Sequence, residues 1–249
     1  MNRRHTLALG WTLAVLVIAG FCMLGRWQLA RMHEKRAALA AAAQALDHAH
    51  PQPLLLASVP ARARDYDWAN GGGRVANETI WLDNQQRDGR NGVRMYCLLL
   101  PDDGAQALLV DAGWWPLDGN RDLPVFGCPA RDRQQVRGLL APPPSAGLAH
   151  GEALAPAGQG RWLATRLDRA AIATALRLAT GIAPRVLRLD PQRQPGDDGA
   201  MLAPGERDLD ILPNTLTPER HLGYAVQWFA LAAAVFAIAL LLTLRKPSK

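Results

Sequence analysis

The sequence predicts a membrane protein in which two transmembrane α-helices bracket a mostly antiparallel β (α+β) domain. Two uncharged apolar segments, 7–24 and 222–244, lie near the ends of the 249-residue chain. About 20 helical residues cross a bilayer core of roughly 30 Å, so the second segment spans it comfortably and the first only just. Between them, short apolar runs alternate with glycine, proline and aspartate, which is typical of a β domain.

The first apolar segment follows a basic tail, 1–6, and predicts a transmembrane helix over 7–25. A signal peptide is the alternative, but a signal core has roughly 7–15 apolar residues and is followed by a small-x-small cleavage site, which this segment lacks. Residues 26–50 are rich in alanine, leucine and arginine, which predicts a juxtamembrane helix. We expect His50-Pro51 to end that helix.

The predicted β-rich domain covers 51–218. It contains one predicted helix, because Asp168 can cap an N-terminus, apolar residues follow at helical spacing, and Gly181 can close the C-terminus. Long loops are predicted at 142–144 and 194–213. The candidate strands, each bounded by turn residues, are 74–82, 93–100, 107–115, 134–140 and 186–189.

The second transmembrane helix is predicted over 219–244 and is followed by a basic tail, 245–249. Two spans place both tails on one side of the membrane and the domain on the other. Basic residues flank the two sides almost equally, so the positive-inside rule does not orient the chain. A large domain is translocated largely regardless of charge.

The basic residues are scattered rather than clustered. The formal net charge is +6 with 28 lysines and arginines, and many arginines stand next to aspartates. A nucleic-acid-binding protein shows basic stripes with aromatic partners, so no nucleic-acid partner is predicted. The arginines are instead assigned to solvated surface and to the membrane flanks.

Three cysteines are present, without zinc spacing or a C-x-x-C-H haem attachment motif. Cys22 lies inside the first span. Cys97 and Cys128 lie outside both spans, and two states stay open for them. They can form a disulfide, or remain buried thiols, which is the commoner state for a cysteine in an apolar strand.

Three motifs carry a resemblance to a known family. They are LGRWQLARMHEK at 24–35, LLVDAGWWP at 108–116 downstream of Gly89 and Gly92, and HLGYAVQWFALA at 221–232. Together with two spans around a β domain, they resemble the Surfeit-locus (Shy1-like) cytochrome c oxidase assembly protein family over nearly the whole chain. The chain departs from the family pattern at Asp111-Ala112, where members usually have Asn-Arg, and at Glu219-Arg220, where they often have asparagines.

The resemblance implies an assembly factor for haem–copper cytochrome oxidase that holds haem a and delivers it to the catalytic subunit. It implies that subunit and haem a synthase as partners, besides membrane lipid. It also implies that the main domain lies outside the cytoplasm. No transit segment precedes the first span, so we expect a multi-pass protein of the bacterial inner membrane with a periplasmic domain.

The third motif contains the candidate iron ligand. On a helix, His221, Tyr224 and Trp228 fall within an arc of about 60°. A neutral imidazole is an axial ligand of haem iron, and the two aromatic side chains can pack on the macrocycle. The alternative is an interfacial anchor, because tyrosine, tryptophan and histidine are common where a helix enters a membrane.

The first motif is expected to face the third at the same depth. Gly25 would let a second helix approach closely. Arg26 can pair with a haem propionate, and Trp27 and Gln28 are expected to line the same pocket. A snorkelling arginine beside an interfacial tryptophan is the alternative.

No motif predicts catalysis. The sequence has no H-E-x-x-H, no G-x-S-x-G and no phosphate-binding loop, so we expect a protein that is not an enzyme. Two other functions stay open. The chain can be a non-haem structural scaffold that stabilises oxidase assembly intermediates, or a membrane sensor, which its short tails disfavour.

Overall fold

The computed structural model describes residues 3–47, 50–146, 151–192, 205–212 and 215–244. The tail at 245–249 and most of the predicted loop at 194–213 lie outside these ranges. The chain divides into two compact units, one formed by 1–39 with 215–249 and the other by 40–214. In chain order the elements are α1 (Arg3–Asp47), β1 (Gln52–Pro53), β2 (Asp67–Arg87), β3 (Arg90–Pro101), β4 (Ala107–Pro116), β5 (Arg131–Ala141), β6 (Leu154–Pro156), β7 (Arg161–Ala164), α2 (Arg169–Ala175), β8 (Ile182–Leu189) and α3 (Pro218–Leu244).

The first unit is an antiparallel pair of helices. α1 is one continuous helix of 45 residues, as its content of alanine and leucine favours. Near its start, Trp11 Nε1 donates to Thr243 Oγ1 near the end of α3, at 2.9 Å. Further along α1, Phe21 lies against Trp228 with ring centroids 5.5 Å apart. The seam between the two helices therefore runs from the end of α3 back towards its start.

Both helices are long and apolar enough to cross a membrane. In their most apolar 18-residue windows, only 6% of α1 and 11% of α3 is buried. A core helix of a soluble domain buries most of its apolar side chains, whereas here Leu13 and Leu241 each expose 64% of their surface. The two helices are thus compatible with the predicted spans.

The second unit is built on a closed ring of strands. β2 is 21 residues long, and its first part pairs with β5 while its middle and end pair with β3. The ring is completed by the pairs β3–β4, β4–β8 and β8–β5. The order β2-β3-β4-β8-β5-β2, with one parallel pair, closes these five strands into a barrel. That fold hosts many functions, so it does not by itself assign one.

The sheet is mixed, so the expected antiparallel character of the domain is not confirmed. β4 pairs in parallel with β8, and β2 pairs in parallel with β1 and with β7. A parallel pair needs a long crossover, and the chain from β4 to β8 supplies one by way of β5, the β6–β7 hairpin and α2. The other pairs of the ring, and the β6–β7 hairpin, are antiparallel.

β3 is buried on both faces, so it carries a continuous apolar run rather than a polar–apolar alternation. Met95, Cys97 and Leu99 enter one core cluster, with Trp81, while Tyr96 and Leu98 enter a second. This alternation follows from the two-residue period of a strand. The second cluster includes Ile172 of α2, so the short helix covers one face of the sheet.

The α2 helix begins where the sequence predicts but ends earlier. The Asp168 carboxylate accepts from the backbone N–H groups of Ala170 and Ala171, both at 3.1 Å. The helix ends at Ala175, because Arg177 has a φ of 54°, in the left-handed region. Gly181, the predicted end, lies beyond it with a φ of 71°.

Cys97 and Cys128 form a disulfide, which decides between the two states left open by the sequence. Both residues are buried, at 0% and 3% exposure. The Cys128 N–H also donates to Thr79 Oγ1 of β2 at 2.7 Å. The connection that follows β4 is therefore fastened to β3 by a covalent bond and to β2 by a hydrogen bond.

Several arginines are buried in ion pairs, which corrects their assignment to solvated surface. Arg94 contacts Asp111 at 3.0 Å and Asp208 at 2.7 Å, and Arg188 contacts Asp208 at 2.8 Å. Arg185 has no exposed surface and bonds a carboxylate in β2 at 2.6 Å. A buried charge is tolerated only when it is paired, and the aspartates near these arginines supply the partners.

Candidate functional site

The seam between α1 and α3 contains one buried polar pair. His221 in the first turns of α3 exposes 6% of its surface, and Gln28 of α1 exposes 9%. The Nδ1 atom of His221 and the Oε1 atom of Gln28 lie 2.6 Å apart. An amide oxygen only accepts hydrogen bonds, so Nδ1 carries the ring proton and Nε2 keeps a free lone pair. This neutral tautomer is the form of histidine that binds metals.

The helices bring this pair together through small residues. On α1, Gly25 precedes Gln28 by three residues and is buried on the same face. On α3, Ala225 and Ala232 are buried on the face that carries His221. Small side chains let two helix backbones approach closely, and the close approach shields the Gln28–His221 hydrogen bond from solvent.

Two cations lie beside the imidazole. Arg31 and Lys35 follow Gln28 on α1 by three and seven residues, and both are close enough for their charges to act on His221. Lys35 Nζ donates to Thr215 Oγ1 at 3.1 Å, just before α3. Arg31 pairs with the exposed Glu34 at 2.7 Å. The site therefore has a neutral imidazole beside Gln28 and positive charge further along α1, at Arg31 and Lys35.

The two aromatic residues predicted for the site have different environments. Tyr224 exposes 42% of its surface, and its side chain is accessible from outside the helix pair. Trp228 is half-buried and packs on Phe21 with an angle of 34° between the rings. Of the two, Tyr224 is the one available to a ligand.

Of the predicted residues of the first motif, only Gln28 is brought to His221. Arg26 is exposed, and Trp27 exposes 54% of its surface. At 100° per residue, Arg26 lies about 160° from Gln28 around the helix and Trp27 about 100° from it. The three side chains therefore leave α1 in different directions, and a shared role of Arg26 and Trp27 with Gln28 in binding a ligand stays a prediction.

Arg31 and Lys35 are the site residues that sequence reasoning missed. The signal was present, because spacings of three and seven residues from Gln28 place both on its face of α1. By their position in the sequence alone, both are basic residues that flank the first span. The helical spacing from Gln28, rather than their distance from the end of the apolar segment, relates them to His221.

The side chains around His221 suit an iron ion held in a macrocycle better than they suit a metal ion bound by protein side chains alone. Among the described residues, no group of three or more histidines, cysteines, aspartates or glutamates is placed to hold a metal ion. A macrocycle supplies four ligands itself and asks the protein for axial ligands only. His221 can supply one such ligand, Tyr224 an apolar flank, and the two cations a counter-charge for carboxylates.

A second concavity lies in the barrel unit, a cleft of about 510 Å³ between the end of α1 and the start of β2. Its charged side chains largely neutralise each other. Arg62 contacts Asp65 at 3.1 Å and Asp67 at 2.7 Å, and Asp67 also contacts Arg185. The cleft therefore offers less free charge to a ligand than the helix seam does.

A model of one known protein family matches most of the chain. The model of the SURF1 family matches residues 15–233, a range that contains the helix seam and the barrel. No curated protein matches the chain significantly. The SURF1 family acts in cytochrome oxidase assembly and is not known as a family of enzymes. Since the match covers most of its length, the chain belongs to the SURF1 family.

Proposed function

We propose that this protein holds haem a at its pair of membrane helices and delivers it to the catalytic subunit during assembly of a haem–copper oxidase. The observation that carries the proposal is the buried hydrogen bond of 2.6 Å between Gln28 and His221. A histidine that binds a metal usually donates its other ring N–H to a fixed acceptor, which sets its tautomer and orientation. Gln28 supplies that acceptor.

Bound haem would supply an iron that accepts an axial ligand and two carboxylates that need a counter-charge. His221 would hold the iron through Nε2, and the hydrogen bond to Gln28 would fix the orientation and tautomer of the ring. Tyr224 offers a half-exposed aromatic face to the ring system. A carrier that contributes one axial bond from a surface seam can release its cargo more readily than one that encloses it.

The proposal includes a location and partners. The two apolar helices would cross a bacterial inner membrane, with the barrel in the periplasm. The disulfide between Cys97 and Cys128 supports this side, because disulfides persist in oxidising compartments. The proposed partners are the catalytic subunit of the oxidase, haem a synthase as donor, and membrane lipid. We propose no catalytic role and no nucleic-acid partner.

The test is an absorption spectrum of the full-length protein purified from cells that express haem a synthase. We expect a Soret band in the unaltered protein and its loss, or a large shift, in His221→Ala, because that change removes the bond to iron. His33→Ala is the matched control, since His33 is an exposed histidine on the same helix as Gln28. An unchanged spectrum at full occupancy in His221→Ala would reject the ligand assignment.

A second function is favoured by a different observation. His221 is already 94% buried against α1, so the Gln28–His221 bond can serve as a structural clasp between the helices. A non-haem scaffold of this kind would bind oxidase assembly intermediates through the barrel. Protein that co-purifies with the oxidase subunit but has no Soret absorbance, even with haem a synthase present, would support the scaffold over the carrier.

A further inference from the structure

We propose that Arg31 and Lys35, rather than Arg26, form a carboxylate-binding site for the ligand held at His221. This inference rests on the proposed function and names the residues that would take the acidic end of the ligand. The ligand class is an amphipathic macrocycle with carboxylate groups at one edge. A haem with free propionates belongs to this class, whereas its dimethyl ester has the same ring and iron but no negative carboxylates.

The position of the two cations follows from the helix. Arg31 and Lys35 lie three and seven residues after Gln28, which is about 4.5 and 10.5 Å further along the axis of α1. The hydrogen bond from Lys35 to Thr215 shows that this face of α1 runs beside the segment that precedes α3. A ligand bound at His221 and extending along α1 away from the predicted span at 7–25 therefore meets Arg31 first and Lys35 next.

The cations are available to an incoming carboxylate. Among the described residues, Lys35 bonds a neutral hydroxyl and takes part in no salt bridge within 4 Å. Within the part of the chain that the structure describes, Arg31 forms one ion pair, with Glu34, and the two side chains expose 44% and 64% of their surface. An exposed pair of this kind contributes little stability, so a ligand carboxylate can replace Glu34 at small cost.

Arg26 lacks these properties. It lies about 160° around the helix from Gln28, and its side chain is exposed on the side of α1 that faces away from His221. It has the same charge and lies closer to Gln28 in sequence than either proposed residue. Arg26 is therefore the matched control for a test of position against charge alone.

The experiment uses the full-length protein in nanodiscs of zwitterionic lipid, titrated with haemin and with haemin dimethyl ester. For the double variant Arg31→Gln/Lys35→Gln we expect haemin to bind about tenfold more weakly, since each replaced ion pair is worth up to about a fivefold change in affinity. The affinity for the diester should not change. The Soret position should also stay the same, because the iron ligand is untouched, and Arg26→Gln should change neither affinity.

Three results would overturn the inference. If Arg26→Gln weakens haemin binding as much as the double variant does, general positive charge attracts the ligand and there is no defined site. If the double variant weakens the binding of haemin and of its diester equally, the substitutions have disturbed the packing of the helix seam. If the unaltered protein does not discriminate haemin from the diester, and the double variant instead loses enrichment of phosphatidylglycerol from mixed nanodiscs, the pair binds a lipid phosphate.

Different results would reject the proposed haem site at His221. If the unaltered protein shifts the Soret band of neither haemin nor its diester, the helix seam does not bind haem and both proposals fall. If His221→Ala abolishes the shift while Arg26→Gln and the double variant behave alike, the haem site stands and only the carboxylate site is rejected.

Discussion

Gly25 of α1 faces the ring of Phe229 on α3 so closely that a Cβ atom at Gly25 would lie 2.8 Å from Cζ of that ring. Carbon atoms in contact normally lie about 3.5–4.0 Å apart, so the contact depends on the missing side chain. One turn further along α1 is Gln28, bonded to His221. The glycine therefore sets the spacing at which the buried polar pair can form.

A large side chain at position 25 should separate the helices. Alanine at Gly25 meets only the tip of a ring that can turn aside, so we expect a small effect. Leucine cannot be accommodated in that way, and Gly25→Leu should sharply reduce oxidative cross-linking between Gln28→Cys and His221→Cys in a Cys22→Ser background. Gly20→Leu is the control, because no atom lies within 4 Å of its added Cβ. Equal cross-linking in the two leucine variants would contradict the close approach.

A second prediction concerns Asp208, which holds the 205–212 segment to the barrel through Arg94 and Arg188. Burial alone would raise the pKa of Asp208, but the charges of the two arginines, with hydrogen bonds from Arg94 and the Asp210 N–H, hold it below the ordinary value. Asp208→Asn leaves buried positive charge without its partner. At pH 7 it should lower the free energy of unfolding by about 3–5 kcal/mol.

The pH dependence of that loss follows from the lowered pKa. A carboxylate whose pKa falls on folding stabilises the protein fully above its unfolded pKa, about 3.9, and loses this contribution as the pH falls through the folded value. The difference in unfolding free energy between the unaltered protein and Asp208→Asn should be constant from pH 7 to about pH 5 and shrink below about pH 4. Denaturant unfolding at several pH values measures it. Asp122→Asn, an exposed aspartate, should show no gap at any pH.

The local part of this fold was predictable from the sequence. Each of the five predicted strands lies inside an observed strand, because turn residues bound the apolar runs on both sides. β2 extends further back than predicted, through Gly71 and Gly73, which look like a loop in sequence. A Cβ at Gly71 would lie 2.8 Å from Leu54, and one at Gly73 2.6 Å from the Leu100 carbonyl oxygen. These glycines allow close packing inside a strand.

Pairing between distant segments was not predictable in the same way. The parallel pair β4–β8 joins strands separated by more than sixty residues, and the sequence of neither strand indicates with which strand it pairs. The burial of Arg94, Arg185 and Arg188 depends on aspartates that reach them only in the folded barrel. At the candidate site, helical periodicity groups His221 with Tyr224 and Trp228, and the structure adds that His221 is buried and bonded to Gln28. Ligand binding by these residues and by Arg26 stays a prediction.

The disulfide supports a third prediction. In the loop-entropy description, closing a loop of 31 residues stabilises the folded chain by about 3–4 kcal/mol, so Cys97→Ala/Cys128→Ala should lower the unfolding free energy by that order. Because a disulfide has no free thiol, a thiol reagent applied to the denatured but unreduced protein should label Cys22 and neither Cys97 nor Cys128. Cys22→Ser is the control and should not change stability. Labelling of Cys97 or Cys128 without prior reduction would contradict the bond.

The last prediction fixes the side of the membrane. Two spans with a large domain between them require the barrel and the C-terminus to lie on opposite sides. Gly158 lies in the exposed turn between β6 and β7 and has a φ of 80°, so a reporter can be inserted there at the surface of the barrel. Alkaline phosphatase inserted at Gly158 should be active, because it folds only outside the cytoplasm, and phosphatase fused to the C-terminus should be inactive. A green fluorescent protein fused at the same two sites should show the reverse pattern.

Activity of phosphatase only at the C-terminus would place the barrel in the cytoplasm, where the Cys97–Cys128 disulfide would not be expected to persist. That result would also remove the basis for a periplasmic haem carrier.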